Sequence, residues 1–338
     1  MAGIFITSTA VRTQWEPYAL SNYERMMRAT QCSTSSRHLI APNAAEADCI
    51  VFVGSRCKFH WDVLQSRLYK QHPTKCILFD FQDNTIPRVP GLYMQIPPHL
   101  QGIPIYETGF YPRVFDNFVL KAGVPFSACT YLFSFVGRVA NSMPVRGRVV
   151  QLKHPRAYVE GADSGQSDKD TRYADILSKS KFVLCPRGLG PSTWRLFETM
   201  RIGRVPVIIA DEWVEPKGMQ WNSFSVRIKE EDIDSIPARL ERLEHRAEAM
   251  GNAARDAWNK HFSEAGSFEW VADACARIQS NMGQCNRVAL RSIASESLQP
   301  LYRKVFYREF VAETLKRTLA YFFQRKFGEQ DVINRFSE

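Results

Sequence analysis

A chain of 338 residues, 45% hydrophobic and 23% charged, is too long for one average domain and too apolar to be disordered; two α/β domains, each with its own core, fit it. The 44 Lys and Arg against 35 Asp and Glu leave a formal charge of +9, which favours an anionic partner without choosing among nucleic acid, an acidic membrane surface and a phosphorylated ligand. Arginine, the better bidentate clamp for phosphate, outnumbers lysine, and no nucleic-acid recognition motif accompanies the charge. The expectation is a phosphorylated ligand and no nucleic-acid partner.

Eight cysteines, Cys32, Cys49, Cys57, Cys76, Cys129, Cys185, Cys275 and Cys285, show no C-x-x-C spacing, and several sit in apolar runs, where a thiol acts as a small buried hydrophobe. Free core thiols suit a reducing compartment. The opening stretch MAGIFITSTAVRTQW has no basic start and no long apolar run, and no window approaches the roughly 18 apolar residues of a membrane span. The expected protein is soluble and cytoplasmic, touching the inner face of a membrane at most peripherally.

Short apolar runs alternating with amphipathic stretches predict parallel sheets covered by helices. The first strands fall at Gly3 to Thr7, Cys49 to Val53 and Cys76 to Phe79, with helices near Tyr18 to Ala29 and Trp61 to Gln71. Ile86 to Phe115 then carries Pro87, Pro90, Pro97, Pro98, Pro104 and Pro112, a density that predicts ordered loop. Its aromatics Tyr93, Tyr106, Phe110 and Tyr111 read as pins holding the loop to the body, with sugar stacking as the alternative. A second series begins at Tyr131 to Val136, ends in Gly137-Arg138, and continues at Arg148 to Leu152 before a polar loop at Gly161 to Asp170. The clearest unit follows: strand Phe182 to Cys185, a Gly/Pro turn, helix Trp194 to Ile202, Gly203 just beyond it, and strand Val205 to Ile209. Phe224 to Ile228 is a further strand, and Pro237 suits the start of the helix after it. The tail at Leu301 to Phe327 spaces apolar residues as a helix does, with basic residues between them, which fits a helix packed on the body or an interfacial helix on anionic lipid.

Chemistry concentrates at Cys185-Pro186-Arg187-Gly188-Leu189-Gly190-Pro191-Ser192-Thr193-Trp194-Arg195-Leu196-Phe197-Glu198. A buried strand enters a turn whose glycines allow close backbone approach, and Ser192 or Thr193 caps a helix whose first N–H groups and dipole form an anion site. Arg187 and Arg195 add fixed cations, and Glu198 shares the face of Arg195, where its carboxylate could accept both hydroxyl hydrogens of a ribose. The competing view makes Arg195 and Glu198 a solvated pair and the glycines only a turn. The segment lacks the third glycine of a dinucleotide fingerprint and the Gly-Lys-Ser/Thr ending of a nucleoside-triphosphate loop.

Together with Arg172-Tyr173, Leu177 to Lys181 and Gly203-Arg204-Val205-Pro206-Val207-Ile208, this segment resembles the exostosin family, glycosyltransferase family 47, whose members share a Pro-Arg-Gly turn, an Arg-x-x-Glu on the next helix and a Val-Pro-Val strand. Phe133-Ser134-Phe135-Val136-Gly137 is similar to the strand that opens the family's second domain, so the resemblance covers roughly residues 130 to 265. It implies a GT-B type α/β fold: an acceptor domain at 1–125, a nucleotide-sugar domain at 126–285 facing it across a cleft, both Rossmann-like, and a helical tail at 286–338. It also implies inverting transfer from a nucleotide sugar, a UDP-sugar being favoured, to a glycan or glycolipid acceptor in cell-surface polysaccharide synthesis, with no metal or other cofactor. Donor contacts carry over to Arg195 and Glu198, and less directly to Arg187, Gly188, Arg138, Gly137, Ser192 and Thr193. Leu189-Gly190 replaces the basic continuation of the turn found in secretory animal relatives, so this chain reads as a soluble, bacterial- or virus-like member whose donor does not carry over.

Two D-x-D triplets, Asp168-Lys169-Asp170 and Asp232-Ile233-Asp234, lie in a polar loop and before a helix, away from the end of a buried strand where paired carboxylates could share a metal ion. Inverting transfer needs a general base from the facing domain. Asp83, beside the Pro-rich loop, ranks first, followed by Glu107 within that loop and His60. The alternative to an enzyme is a nucleotide- or saccharide-binding protein that keeps the fold without the base.

Overall fold

A computed structural model describes residues 2–9, 17–33, 37–55, 59–83, 87–117, 119–161 and 169–282. The tail expected as a helix at 301–327, Asp168 of the first D-x-D triplet, and Cys57 and Cys285 lie outside the described residues.

The first sheet is built by β1 (Gly3–Thr7), β2 (Leu39–Ile40), β3 (Cys49–Gly54), β4 (Cys76–Asp80), β5 (Gly91–Tyr93) and β6 (Tyr106–Thr108), with helices α1 (Pro17–Cys32), α2 (Phe59–Gln65) and α3 (Arg67–Gln71) between strands. Its order is β2-β1-β3-β4-β5-β6, and every pairing is parallel. β3 and β4 are buried along their whole length, which is why they read as unbroken apolar runs rather than as alternations. The Pro-rich segment is not loop throughout. Prolines flank two three-residue strands without entering them, and the carbonyl of Pro90 accepts from the Leu78 amide, so β5 and β6 extend the sheet. Tyr93, Tyr106, Phe110 and Tyr111 are all buried there, pinning the segment as expected.

The second sheet contains β7 (Tyr131–Gly137), β8 (Ala157–Gly161), β9 (Ser180–Pro186), β10 (Val205–Ile209) and β11 (Val226–Arg227), covered by α4 (Met143–Val149), α5 (Lys169–Ser178), α6 (Trp194–Arg201), α7 (Ile236–Leu243), α8 (Ala247–Ala257) and α9 (Ser267–Met282). It is again wholly parallel, in the order β11-β10-β9-β7-β8. The stretch Arg148 to Leu152 does not form a strand: Pro144 starts α4, which runs to Val149, and the strand paired with β7 comes later, at β8. Gly203 follows α6 with φ of 73° and donates to the Met200 carbonyl, the left-handed position that glycine takes beyond a helix.

Two wholly parallel sheets, with α-helices in most of their longer connections, make the two-domain α/β fold expected of the GT-B type. In a doubly wound sheet of this order, ligands bind at the carboxyl ends of the first and third strands, where the winding reverses. In the second sheet that switch point lies between the ends of β7 and β9.

An aromatic seam joins the domains. Phe110 lies 6.4 Å from Phe197, 5.3 Å from Phe262 and 5.8 Å from Trp270 between ring centroids. Arg25 and Arg28 both bind Asp116, and Arg28 also reaches Glu264 at 2.7 Å. The linker is held by Arg204, which is 2% exposed and donates to the carbonyls of Ser178 and Val124. The last described helix, α9, crosses back to the first domain: Asp273 meets His38 at 2.9 Å and the Gln279 amide donates to the Asp48 carbonyl at 2.6 Å. Residues 267–282 therefore pack with the first sheet rather than with the second.

Candidate active site

Strand β9 ends at Pro186, and the chain turns through Arg187 to Ser192 before entering α6 at Trp194. Thr193 takes the extended cap position without a side-chain cap bond, so the first turn of α6 keeps uncapped N–H groups. In that turn Arg195, 8% exposed, donates from Nη2 to the Val136 carbonyl at 2.5 Å. Its Nε and Nη1 are buried without a partner. So is Oγ of Ser192. The Arg195 guanidinium sits 4.7 Å from the centre of the Phe135 ring and 5.8 Å from that of Tyr173. A buried polar donor left unpaired costs about 1–3 kcal/mol, and more when charged, a penalty that an anionic ligand would offset.

Gly137 makes this placement possible. A β-carbon there would stand 2.5 Å from Nη2 of Arg195. Arg146 fixes the walls of the same crevice: its guanidinium donates to the carbonyls of Arg187 and Arg138, at 2.9 Å each, and of Pro186 at 3.4 Å. It thereby ties the ends of β7 and β9 together. Burial, assisted by the neighbouring charge of Arg195, lowers its pKa to about 10. The switch point thus holds two buried guanidiniums, and among the described residues neither forms an ion pair with a carboxylate.

Glu198 lies one turn further along α6. Its Oε1 accepts from the Asn117 amide at 2.9 Å and its Oε2 from the Tyr173 hydroxyl at 2.6 Å. It does not pair with Arg195, so the solvated-pair view fails. Burial, with Glu198 as the nearest charge, pushes the Tyr173 hydroxyl far above its ordinary pKa and keeps it a donor.

Not every expected donor contact converges here. Arg187 turns toward the end of β10, where it clasps Glu230 in a bidentate pair at 2.7 and 3.2 Å. Its charge is already met. Arg138 lends its backbone carbonyl to Arg146 while its side chain is exposed. Gly188 donates to the Gly190 carbonyl and closes the turn. In the second D-x-D triplet Asp234 is a surface ion-pair partner of Arg148 at 2.8 Å, and no cluster able to hold a metal ion occurs among the described residues.

Across the cleft, the turn meets the first domain at Asp83. A β-carbon on Gly190 would stand 2.7 Å from the backbone oxygen of Asp83, so only glycine lets the carboxyl ends of β4 and β9 approach this closely. We predict that Gly190→Ala lowers the melting temperature and weakens donor binding together, both read in one thermal-shift titration. The Asp83 carboxylate accepts from the Tyr111 hydroxyl at 2.7 Å, and burial raises its pKa above the usual carboxylate range.

The other candidate bases stand elsewhere. Glu107 is in β6, 2% exposed, and neutralised by Lys217 at 3.2 Å and Arg277 at 2.9 Å. It clamps the 217 loop and α9 to the first sheet and has no free oxygen to serve as a base. Glu107→Gln should destabilise the protein by roughly 2 kcal/mol, measurable by denaturant unfolding. His60 is buried, with Nε2 2.9 Å from Oδ2 of Asp80 at the end of β4.

Asn117 and Arg146 carried no sequence signal, because each acts through a partner distant in the chain, and Tyr111, read as a loop pin, gave no sign of its bond to Asp83. Tyr173 did carry one, in the Arg172-Tyr173 part of the family pattern.

Comparison with known proteins fits this crevice. Residues 106–243 match the Exostosin GT47 domain. That stretch contains β7 through β11 and α6, so the whole crevice falls inside the part of the chain that resembles the exostosin family. The exostosin-1 homolog of Caenorhabditis elegans is 32% identical over 123 residues, which cover 34% of this chain and 31% of that protein. A probable beta-1,4-xylosyltransferase of Arabidopsis thaliana is 35% identical over 76 residues, covering 22% of this chain and 18% of that protein. The chain thus spans about a third or less of the length of these exostosin relatives. Among solved structures, that of HepE from Anabaena with UDP and glucose superposes with a TM-score of 0.35 at 8% identity, over 82% of this chain and 99% of that one.

Proposed function

We propose that the protein is an inverting glycosyltransferase that moves a sugar from a nucleotide-sugar donor, a UDP-sugar, to a saccharide or glycolipid acceptor in the synthesis of cell-surface glycan. The observation that carries this reading is the buried Arg195 guanidinium, with Nε and Nη1 unpartnered, beside the unpartnered Ser192 hydroxyl at the start of α6. Such a site is complementary to a diphosphate. The names of the exostosin relatives, xylosyltransferase among them, support the reaction class.

In this reading the diphosphate lies against Arg195, Ser192 and the uncapped amides of α6, while the ribose hydroxyls donate to the remaining lone pairs of Glu198. Asp83 takes the proton of the acceptor hydroxyl as its oxygen attacks the anomeric carbon from the face opposite the leaving group. The bond from that carbon to the diphosphate oxygen breaks, and the electron pair leaves with the nucleoside diphosphate, whose growing charge Arg195 meets. Two buried arginines and a helix dipole supply this stabilisation, so the reading assigns no role to a metal ion.

The test is a panel of nucleotide sugars presented to the purified protein, first by thermal shift and then with saccharide acceptors. UDP-xylose, UDP-glucuronate, UDP-glucose and UDP-N-acetylglucosamine head the panel. A donor that raises the melting temperature, together with a product of inverted anomeric configuration, is the expected result. Binding without hydrolysis or transfer across the panel would refute the enzyme and leave a nucleotide-sugar binding protein.

A further inference from the structure

Off the outer edge of β11 lies a cavity of about 550 Å³, a volume typical of small-ligand sites. β10 separates it from β9 and the donor turn, two strand spacings or about 10 Å away, and no residue of that turn lines it.

One wall is a continuous helical run from α7 through the turn Glu244–Arg246 into α8. Arg239, Leu243, Arg246 and Met250 line the cavity from it, at spacings of one helical face. A face directed at a core would be apolar throughout, but here arginine alternates with aliphatic residues. Two acids of the same run look the other way: Glu241 meets His154 at 3.0 Å, and Glu244 binds both Arg156 and Lys181. No acid of this run lines the cavity. Arg239 and Arg246 are exposed, and neither forms an ion pair among the described residues. Opposite them, Glu215 is the lone carboxylate of the lining and sits 3.4 Å from Arg227, a third arginine of the cavity. Gln220 and Asn222 add amides to that wall, and Met219 adds an apolar surface.

We propose that this cavity binds an anionic sugar, carboxylated or phosphorylated, at a site separate from the donor crevice. The Arg239 and Arg246 forks would take the anionic group, for which planar guanidinium is the suited partner. The amides would take ring hydroxyls, and Met219 and Leu243 would cover an apolar ring face. This site goes beyond the donor and acceptor of the proposed transfer and stands or falls apart from it.

Ligand-observed NMR on the full chain with glucuronate, glucose 6-phosphate and glucose tests it. Binding of an acidic sugar and not of glucose is expected, and which acid binds tells carboxylate from phosphate. Arg239→Ala/Arg246→Ala should weaken that binding at least tenfold and leave UDP binding unchanged; both side chains are exposed, so the fold should survive. Arg195→Met should do the reverse. The site is overturned if neither acidic sugar binds, if the double variant binds as well as the parent, or if Arg195→Met abolishes acidic-sugar binding too.

Discussion

Replacing Arg195 with methionine is expected to weaken donor binding by roughly two to three orders of magnitude while leaving the unliganded protein as stable as before, or more so. The two halves of this result have one cause. In the free protein Arg195 is buried with Nε and Nη1 unpaired, a state that costs stability. Methionine keeps much of the side-chain length against Phe135 and carries no charge, and exchanging a buried ionic group for a packed apolar one is often neutral or stabilising. The same guanidinium, given a diphosphate, would gain two charge-assisted bonds worth about 1.5–3 kcal/mol each, and 1.4 kcal/mol is tenfold in affinity. Lysine should fall between, because it restores the charge without the fork. Calorimetric titration with UDP and thermal unfolding without ligand measure the two halves separately. Weaker folding together with unchanged UDP affinity would make Arg195 a structural residue and move the donor site elsewhere.

The strand-turn-helix at residues 182–198 was legible because its signals are local: an apolar run, a glycine turn and a helix start lie within one stretch of chain. The position of Arg195 in the first turn of α6 was legible for the same reason. What escaped the sequence depends on distant contacts. Arg187 looked like a second fixed cation of the anion site, yet Glu230, 43 residues away, neutralises it. Glu107 looked like a loop carboxylate because proline density hid two short strands, and its partners Lys217 and Arg277 lie 110 and 170 residues away. Arg148 to Leu152 looked like a strand because its apolar residues are also compatible with the end of a short helix. The return of α9 to the first sheet left no local mark, since an amphipathic helix does not record which sheet it will cover. Gly137 read as a strand end and Gly190 as a turn glycine, but the structure gives each a sharper reason: one makes room for a guanidinium and the other for the backbone of the facing domain.

Asp83→Asn should retain donor binding and lose transfer by a factor of about 10² to 10⁴, the range a positioned general base contributes. Asparagine still accepts from the Tyr111 hydroxyl, so the contact between Asp83 and the Gly190 turn is preserved and the loss isolates proton acceptance. The pH dependence sharpens the test. Burial, reinforced by Asp80, raises the Asp83 pKa, so transfer by the parent protein should fall with decreasing pH through an apparent pKa above the usual carboxylate range. The residual transfer of the variant should lack that limb. Stability must then move the opposite way. A carboxyl whose folded pKa is raised stabilises fully only below its unfolded pKa, and that contribution is lost as pH rises through the folded value. Neutral asparagine escapes the loss, so the variant should melt at or above the parent temperature near neutral pH, with the difference shrinking as the solution is acidified. A carboxylate that is costly to hold ionised fits a catalytic role better than a structural one. Normal turnover in the variant would sink this assignment and turn attention to His60, which Asp80 orients at 2.9 Å on the same sheet end.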